Sequence, residues 1–243
     1  MQIDLFVPCF VDQIYPETAF NAIKVLEKLG CEVHYNENQT CCGQPAFNAG
    51  YWEEAKAVGE KCLRDFPNNR PLVVLSSSCT GMMRNYYHDL FHNSAVHNQF
   101  KQLQRNTYEF SEFIFKFLDI SKLPAVFEHT VTYHDACSAL RECSIYPEPR
   151  QLLKQVRGLK LIEIKDSTVC CGFGGTFSVK NEAISVAMAE QKVQCAVDTD
   201  AEILVSADLS CLMQLDGYIK KNGIKLKTMH IADVLANGWG EIA

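Results

Sequence analysis

Eight of the twelve cysteines in this 243-residue chain fall into two copies of one pattern. Cys41-Cys42-Gly43 and Cys170-Cys171-Gly172 form its centres. Cys9 stands 31 intervening residues before the first pair and Cys79 stands 36 after it; Cys137 stands 32 before the second pair and Cys211 stands 39 after it. Adjacent cysteines rarely close a disulfide on each other without straining the peptide between them, whereas neighbouring thiolates readily ligate different irons of one cluster. Four thiolates suit an iron–sulfur cluster or a structural zinc. Zinc sites usually offer short C-x(2–4)-C knuckles, while each set here is dispersed over about 70 residues with a vicinal pair in its middle. The spacing therefore favours iron–sulfur centres, one in each half, held by Cys9, Cys41, Cys42 and Cys79 and by Cys137, Cys170, Cys171 and Cys211. Zinc in one half and bare redox thiols are the alternatives.

Elements that alternate in kind position these residues. Ile3 to Val7 reads as a buried strand, and Glu17 to Leu29 as a helix with Ala22, Val25, Leu26 and Leu29 on one face, closed by Gly30. Cys31 to Tyr35 is a short strand, Gly50 to Arg64 a helix, Pro67 to Pro71 a turn and Leu72 to Leu75 an apolar strand, with a helix starting near Cys79. The second half repeats the order: strands over Val131 to Tyr133, Leu159 to Ile164 and Glu202 to Ser206, and a long helix over Val179 to Val197. Thr107 to Phe113 and Thr228 to Val234 share a pattern that leads into a closing helix. Alternating strands and helices imply an α/β fold of right-handed βαβ units. The expected architecture is two similar lobes, each a small parallel sheet with flanking helices, related by pseudo-two-fold symmetry. The lobes span residues 1–120 and 129–243, with 121–128 as connector, because Ser121 and Pro124 break the preceding helix. Cys9, Cys79, Cys137 and Cys211 then stand at the carboxyl ends of strands, where open parallel sheets bind ligands.

Neighbouring residues are read against their ordinary structural roles. Asp208 is a helix cap, with replacement of a missing ligand as the second reading. Cys31, Cys62 and Cys195 fit strand and helix patterns as core thiols, and Cys143 is placed as an auxiliary ligand or another core thiol. His134, three residues before Cys137, is a strand-end histidine satisfied by the fold, or a donor toward the cluster or a quinone. His88 and His92 lie at i and i+4 without the Glu of an H-E-x-x-H zinc face, so they belong on a solvated helix. Gly172, Gly174 and Gly175 are in the wrong order for a dinucleotide loop; they suit a cluster loop whose N–H groups meet sulfur. Arg84, Arg141 and Lys180 are exposed cations, or moderators of a cluster's negative charge.

A net charge of −6 disfavours a sequence-independent grip on nucleic acid. Hydrophobic residues at 47% and charged residues at 21% are ordinary for a globular chain with a substantial core. No basic n-region and no run of roughly 18 uncharged apolar residues is present, so a cytoplasmic chain without a transmembrane segment is expected. Cysteines in a reducing compartment are ligands or core thiols rather than disulfides.

The repeat, both Cys-Cys-Gly elements and the run Cys170-Cys171-Gly172-Phe173-Gly174-Gly175-Thr176-Phe177-Ser178-Val179-Lys180 resemble the cysteine-rich (CCG) domain family. Leu26 to Val33 and Cys41 to Ala46 match as well, and the resemblance covers essentially the whole length. Within the family the chain is most similar to the iron–sulfur subunits of lactate utilisation and glycolate oxidation, and more distantly to the catalytic subunit of heterodisulfide reductase. The resemblance implies [4Fe–4S] centres, up to one per lobe. It also implies electron transfer during oxidation of L-lactate or a similar 2-hydroxy acid, a ferredoxin-type iron–sulfur protein among partner subunits of the complex, and a peripheral link to quinone. The wider family's last ligand element is C-x-x-C, whereas the segments here are Ser76-Ser77-Ser78-Cys79 and Asp208-Leu209-Ser210-Cys211. A five-thiolate noncubane cluster thus lacks a ligand in each lobe. A heterodisulfide-type thiol/disulfide reductase and a zinc scaffold are the competing functions.

Overall fold

The computed structural model describes residues 1–239. Eight strands form two four-stranded parallel sheets. The first holds β1 (Gln2–Phe6), β2 (Glu32–Tyr35), β3 (Leu72–Val74) and β4 (Thr107–Glu109) in the order β2-β1-β3-β4. The second holds β5 (Thr130–Tyr133), β6 (Lys160–Ile162), β7 (Ile203–Ser206) and β8 (Lys227–His230) in the order β6-β5-β7-β8. One topology therefore occurs twice, as the cysteine spacing requires. The registers agree: Asp4 pairs with Leu72 and Leu72 with Thr107, while Thr132 pairs with Leu204 and Leu204 with Thr228. Counted from the strands, Cys9 matches Cys137, Cys79 matches Cys211 and Glu109 matches His230.

Period-two alternation in the strands serves two cores. Ile3, Leu5 and Val7 of the first lobe and Val131, Tyr133, Ile203 and Val205 of the second point into one apolar cluster common to both sheets. Helices Pro16–Lys28, Phe110–Phe117, Pro147–Gln155 and Ile231–Leu235 fill that cluster through residues such as Leu26, Phe113, Leu152 and Leu235. The opposite faces carry Phe6, Leu72 and Val74 into an outer core of the first lobe, and Leu204 into an outer core of the second. Thr18 and Asn21 donate to Asp233 at 3.0 and 2.9 Å, which fixes the end of the chain against the first lobe. The connector is pinned too: Phe127 N–H donates to Arg157 at 2.9 Å and Val126 N–H to Asn237 at 3.1 Å.

The helices and strands read from periodicity are present within a few residues of their expected bounds. β4 and β8 add an edge strand to each sheet, inside the stretches read only as helix lead-ins. Three or four residues are too few for alternation to show. Each ends at a capping side chain: Glu109 accepts from Ser111 N–H at 2.8 Å, and His230 Nδ1 from Ala232 N–H at 3.2 Å. The shared lead-in pattern of the two tails is this strand-and-cap unit.

Candidate metal centres

Each cysteine set is assembled from three parts of its lobe. The first cysteine follows the first strand and the last follows the third strand, both at or within the opening turn of a helix. Cys9 opens the helix Cys9–Ile14, Cys137 precedes a π-helical turn over Ser138–Glu142, and Cys79 and Cys211 lie in the first turns of Ser77–Gly81 and Leu209–Lys221. Unpaired N–H groups and the positive end of the helix dipole favour the thiolate there. The vicinal pairs come from the loops after the second strands.

Those loops are held by glycine. Gly43 and Gly172 have φ of 88° and 87°, in the left-handed region that other residues enter at a cost. A Cβ on Gly43 would stand 3.0 Å from the Ala55 carbonyl oxygen, and one on Gly172 would stand 2.5 Å from that of Ser185. The close approach is thus to the following helix, Trp52–Asp65 or Glu182–Val197. It turns each glycine N–H onto the first thiol of its pair: Gly43 donates to Cys41 Sγ and Gly172 to Cys170 Sγ, both at 3.4 Å. Ser185 Oγ donates to the Gly172 carbonyl at 2.8 Å and receives Gln214 Nε2 at 2.8 Å. Lys192, whose amine donates to the Asp166 and Ser167 carbonyls at 2.7 and 3.2 Å, holds the loop just upstream.

Within each lobe the four thiols form a chain of contacts. Cys9 contacts Cys41, Cys41 contacts Cys42, and Cys42 Sγ lies 3.3 Å from Cys79 Sγ. In the second lobe Cys137 contacts Cys170, Cys170 contacts Cys171 and Cys171 contacts Cys211. The first thiol of each pair accepts from its neighbours, which draws Cys41 down to about 3 and Cys170 down to about 2. Hydrogen bonds to those thiolates, reinforced by burial, push Cys9, Cys42, Cys137 and Cys171 up. Cys42, Cys79, Cys171 and Cys211 are buried; Cys9, Cys41, Cys137 and Cys170 are half-buried. All eight line a single cavity of about 640 Å³ between the lobes. Phe10 and Phe173 meet edge-on across it, with ring centroids 5.7 Å apart. Eight unbridged cysteines arranged as two compact thiol sets fit metal-bound thiolates, because a structural core thiol gains nothing from a run of sulfur neighbours.

Asp208 is a cap twice over. It precedes Leu209–Lys221 and accepts from Ser210 N–H at 3.1 Å, while its other oxygen accepts from Ser76 Oγ, Ser77 Oγ and Ser78 N–H at 2.9, 3.1 and 3.0 Å. One carboxylate therefore caps the helices that carry Cys79 and Cys211, and joins the two cysteine-bearing segments. The segments departing from C-x-x-C are this link. Ser77 Oγ also meets Ser138 Oγ at 2.9 Å, and Cys143 Sγ donates to the Ser77 carbonyl at 3.7 Å. Cys143 thus packs at the lobe interface, away from the cavity lining. The sequence carries no signal for this cross-lobe network, since its members lie more than 60 residues apart.

Cys31 and Cys62 are core thiols, with burial pushing Cys62 up to about 12; Cys195 is half-buried. His88 and His92 are exposed and stack with centroids 5.2 Å apart. Arg84 pairs with Glu112 at 2.8 Å, Arg141 donates to the Thr168 carbonyl at 3.2 Å, and Lys180 is exposed. His134 departs from the expectation of a satisfied strand-end side chain. Its ring is fully buried and neither nitrogen has a hydrogen-bond partner among the described residues. Burial, helped by Lys192, lowers it to about 3, so the imidazole is neutral.

The family model for the cysteine-rich CCG domain matches residues 3–84 and 131–216, once in each lobe. The chain is 40% identical over 235 residues to Lactate utilization protein A of Bacillus velezensis, covering 97% of this chain and 99% of that one. It is 39% identical to Lactate utilization protein A of Bacillus subtilis with the same coverage. A Helicobacter pylori hypothetical protein of known structure shares the fold, with a TM-score of 0.61 at 13% identity. The match takes in all of this chain and 49% of that one.

Proposed function

The chain belongs to the CCG cysteine-rich domain family, and from that premise we propose that it serves lactate utilisation as an electron-transfer subunit with one iron–sulfur centre in each lobe. Residues 1–120 would hold the first centre on Cys9, Cys41, Cys42 and Cys79. Residues 129–243 would hold the second on Cys137, Cys170, Cys171 and Cys211, with 121–128 joining the lobes. The observation that carries the reading is that both thiol sets open onto one cavity and share the Asp208 carboxylate. Two centres on one wall suit a relay better than two separate scaffolding metals. The relatives' names supply the pathway.

Four thiolates suffice for an ordinary [4Fe–4S] centre, which moves single electrons. The chain's own part is to hold thiolate charge at helix N-termini, to aim the Gly43 and Gly172 N–H groups at sulfur, and to limit water through Phe10 and Phe173. Conversion of L-lactate to pyruvate removes two electrons, and the sequence has no flavin or nicotinamide fingerprint, so the hydroxy acid is engaged at a partner or a shared interface. The expected partners are further subunits of the complex, one of them a ferredoxin-type protein, with electrons passing toward quinone. Among the described residues no helix is long and apolar enough to cross a membrane, so contact with quinone would be peripheral.

The test is lactate-dependent dye reduction under anaerobic conditions. The metal-loaded chain alone is expected to be inactive, and the chain with its partner subunits active. A chain that by itself matches the complex in rate, and loses activity on Cys171→Ser, would be the dehydrogenase and would overturn this division of labour.

A further inference from the structure

Among the described residues, His134 carries the strongest unexplained chemistry. It follows β5, and its backbone is fully engaged: the N–H donates to the Val205 carbonyl at 2.8 Å, and the carbonyl accepts from Ser206 Oγ at 3.0 Å. Its ring is not, for both nitrogens are buried and unpartnered. An imidazole nitrogen of His134 and the Sγ atoms of Cys171 and Cys211 all lie within 4.8 Å of one another. Donors this close together are neighbours around one metal site.

The first lobe shows what the fold alone asks of this position. Three residues before Cys9 stands Phe6, buried in one apolar cluster with Cys42 and Cys79. Packing behind the thiols is therefore met by a phenyl ring. A histidine there adds only polar nitrogens, which destabilise a buried site unless something takes them up.

We propose that His134 is a ligand of the second centre, giving an imidazole nitrogen beside the Cys171 and Cys211 thiolates as a fifth protein ligand, so that the two lobes hold chemically unlike sites. The proposal rests on the reading of the second lobe as a metal site. His134 does not line the cavity, so it meets the metal from the protein side, behind the thiols.

The experiment uses the full chain labelled with nitrogen-15 at histidine, loaded anaerobically with iron and sulfide, reduced and measured by pulsed electron paramagnetic resonance. The expected result is the strong hyperfine coupling of a directly bound nitrogen. It should persist in Cys42→Ser and vanish in Cys171→Ser and in His134→Phe, which copies the first lobe. The assignment stands on the wild type and the cysteine variants even if His134→Phe does not fold. Only the weak coupling of a nitrogen hydrogen-bonded to sulfur, or a strong coupling that survives His134→Phe, overturns the proposal. Should the second lobe take zinc, X-ray absorption at the zinc edge decides: a mixed nitrogen–sulfur shell sustains the histidine ligand while sinking the iron–sulfur reading, and an all-sulfur shell overturns the ligand. A chain that takes up metal in neither lobe overturns both.

Discussion

The two lobes place four cysteines on the same topology, yet the residues around those cysteines differ in polarity. Phe6 stands where the second lobe has His134, and Ser76 where it has Asp208. The last strand of the first lobe ends in Glu109 and that of the second in His230. The strand registers and cysteine spacing that make the fold are held in common, while side chains within a few ångströms of sulfur have diverged. A duplicated scaffold thus backs one thiol set with a phenyl ring and the other with an imidazole. Polar groups and donors near sulfur tune a centre's potential, so the two centres are expected to differ in potential.

The largest effect that tests this comparison comes from the ligands themselves. Cys42→Ser and Cys171→Ser are each expected to remove about half of the bound iron, since a cluster generally loses integrity with a thiolate. The two residual spectra should differ, because each reports the other lobe. Unchanged iron in either variant shows that its lobe was misassigned, and identical residual spectra would erase the proposed difference between lobes.

Asp208→Ala comes next. It strips one buried carboxylate from donors on the helices that carry Cys79 and Cys211, and hydrogen bonds to charged groups are each worth about 1.5–3 kcal/mol. A loss of about 3 kcal/mol in denaturant unfolding is expected. The matching first-lobe change, Ser76→Ala, should cost only about 1 kcal/mol. Equal losses would deny Asp208 its double role.

The glycines give a smaller contrast. An alanine forced to positive φ costs roughly 1–2 kcal/mol, the expected loss for Gly43→Ala. Gly172→Ala should cost more, because its Cβ would meet the Ser185 carbonyl at 2.5 Å where Gly43 would meet Ala55 at 3.0 Å. The reverse order would show that the second loop moves to accommodate the methyl group.

The last contrast lies in the caps. Burial pushes Glu109 up to about 8 from an ordinary 4.5. The folded state therefore keeps a proton that the unfolded chain gives up, and this group's stabilising contribution, complete below about 4.5, is lost as pH rises to about 8. Burial moves His230 down from 6.5, so the unfolded chain takes up a proton first and stability falls as pH drops below 6.5. The stability difference between wild type and Glu109→Gln should therefore change between pH 4.5 and 8, and that for His230→Gln below 6.5. Parallel curves for both variants would contradict these environments.

How much of this was legible in the sequence follows from what each feature depends on. The strands, the main helices and the duplication rest on local periodicity and on spacing, so Ile3 to Val7 and the two Cys-Cys-Gly loops declared themselves. Gly43 and Gly172 were legible as points of close approach, though the partner is helix backbone. Three-residue β4 was not legible, because pairing with β3 rather than its own pattern makes it a strand. Asp208 could be read as a cap of its own helix from its residue type and its place at the start of the segment that follows. Its grip on Ser76, Ser77 and Ser78 could not, since it depends on how the lobes dock. His134 was visible three residues before Cys137, but only the packed interior shows that no described residue satisfies its ring.

The central claim, two metal centres on one chain, is tested most directly by iron and acid-labile sulfide analysis of the anaerobically loaded chain, with electron paramagnetic resonance on the same sample. Two [4Fe–4S] centres predict about eight iron and about eight sulfide per chain, with two distinguishable signals on reduction. About four of each with a single signal, or zinc in place of iron, would contradict it.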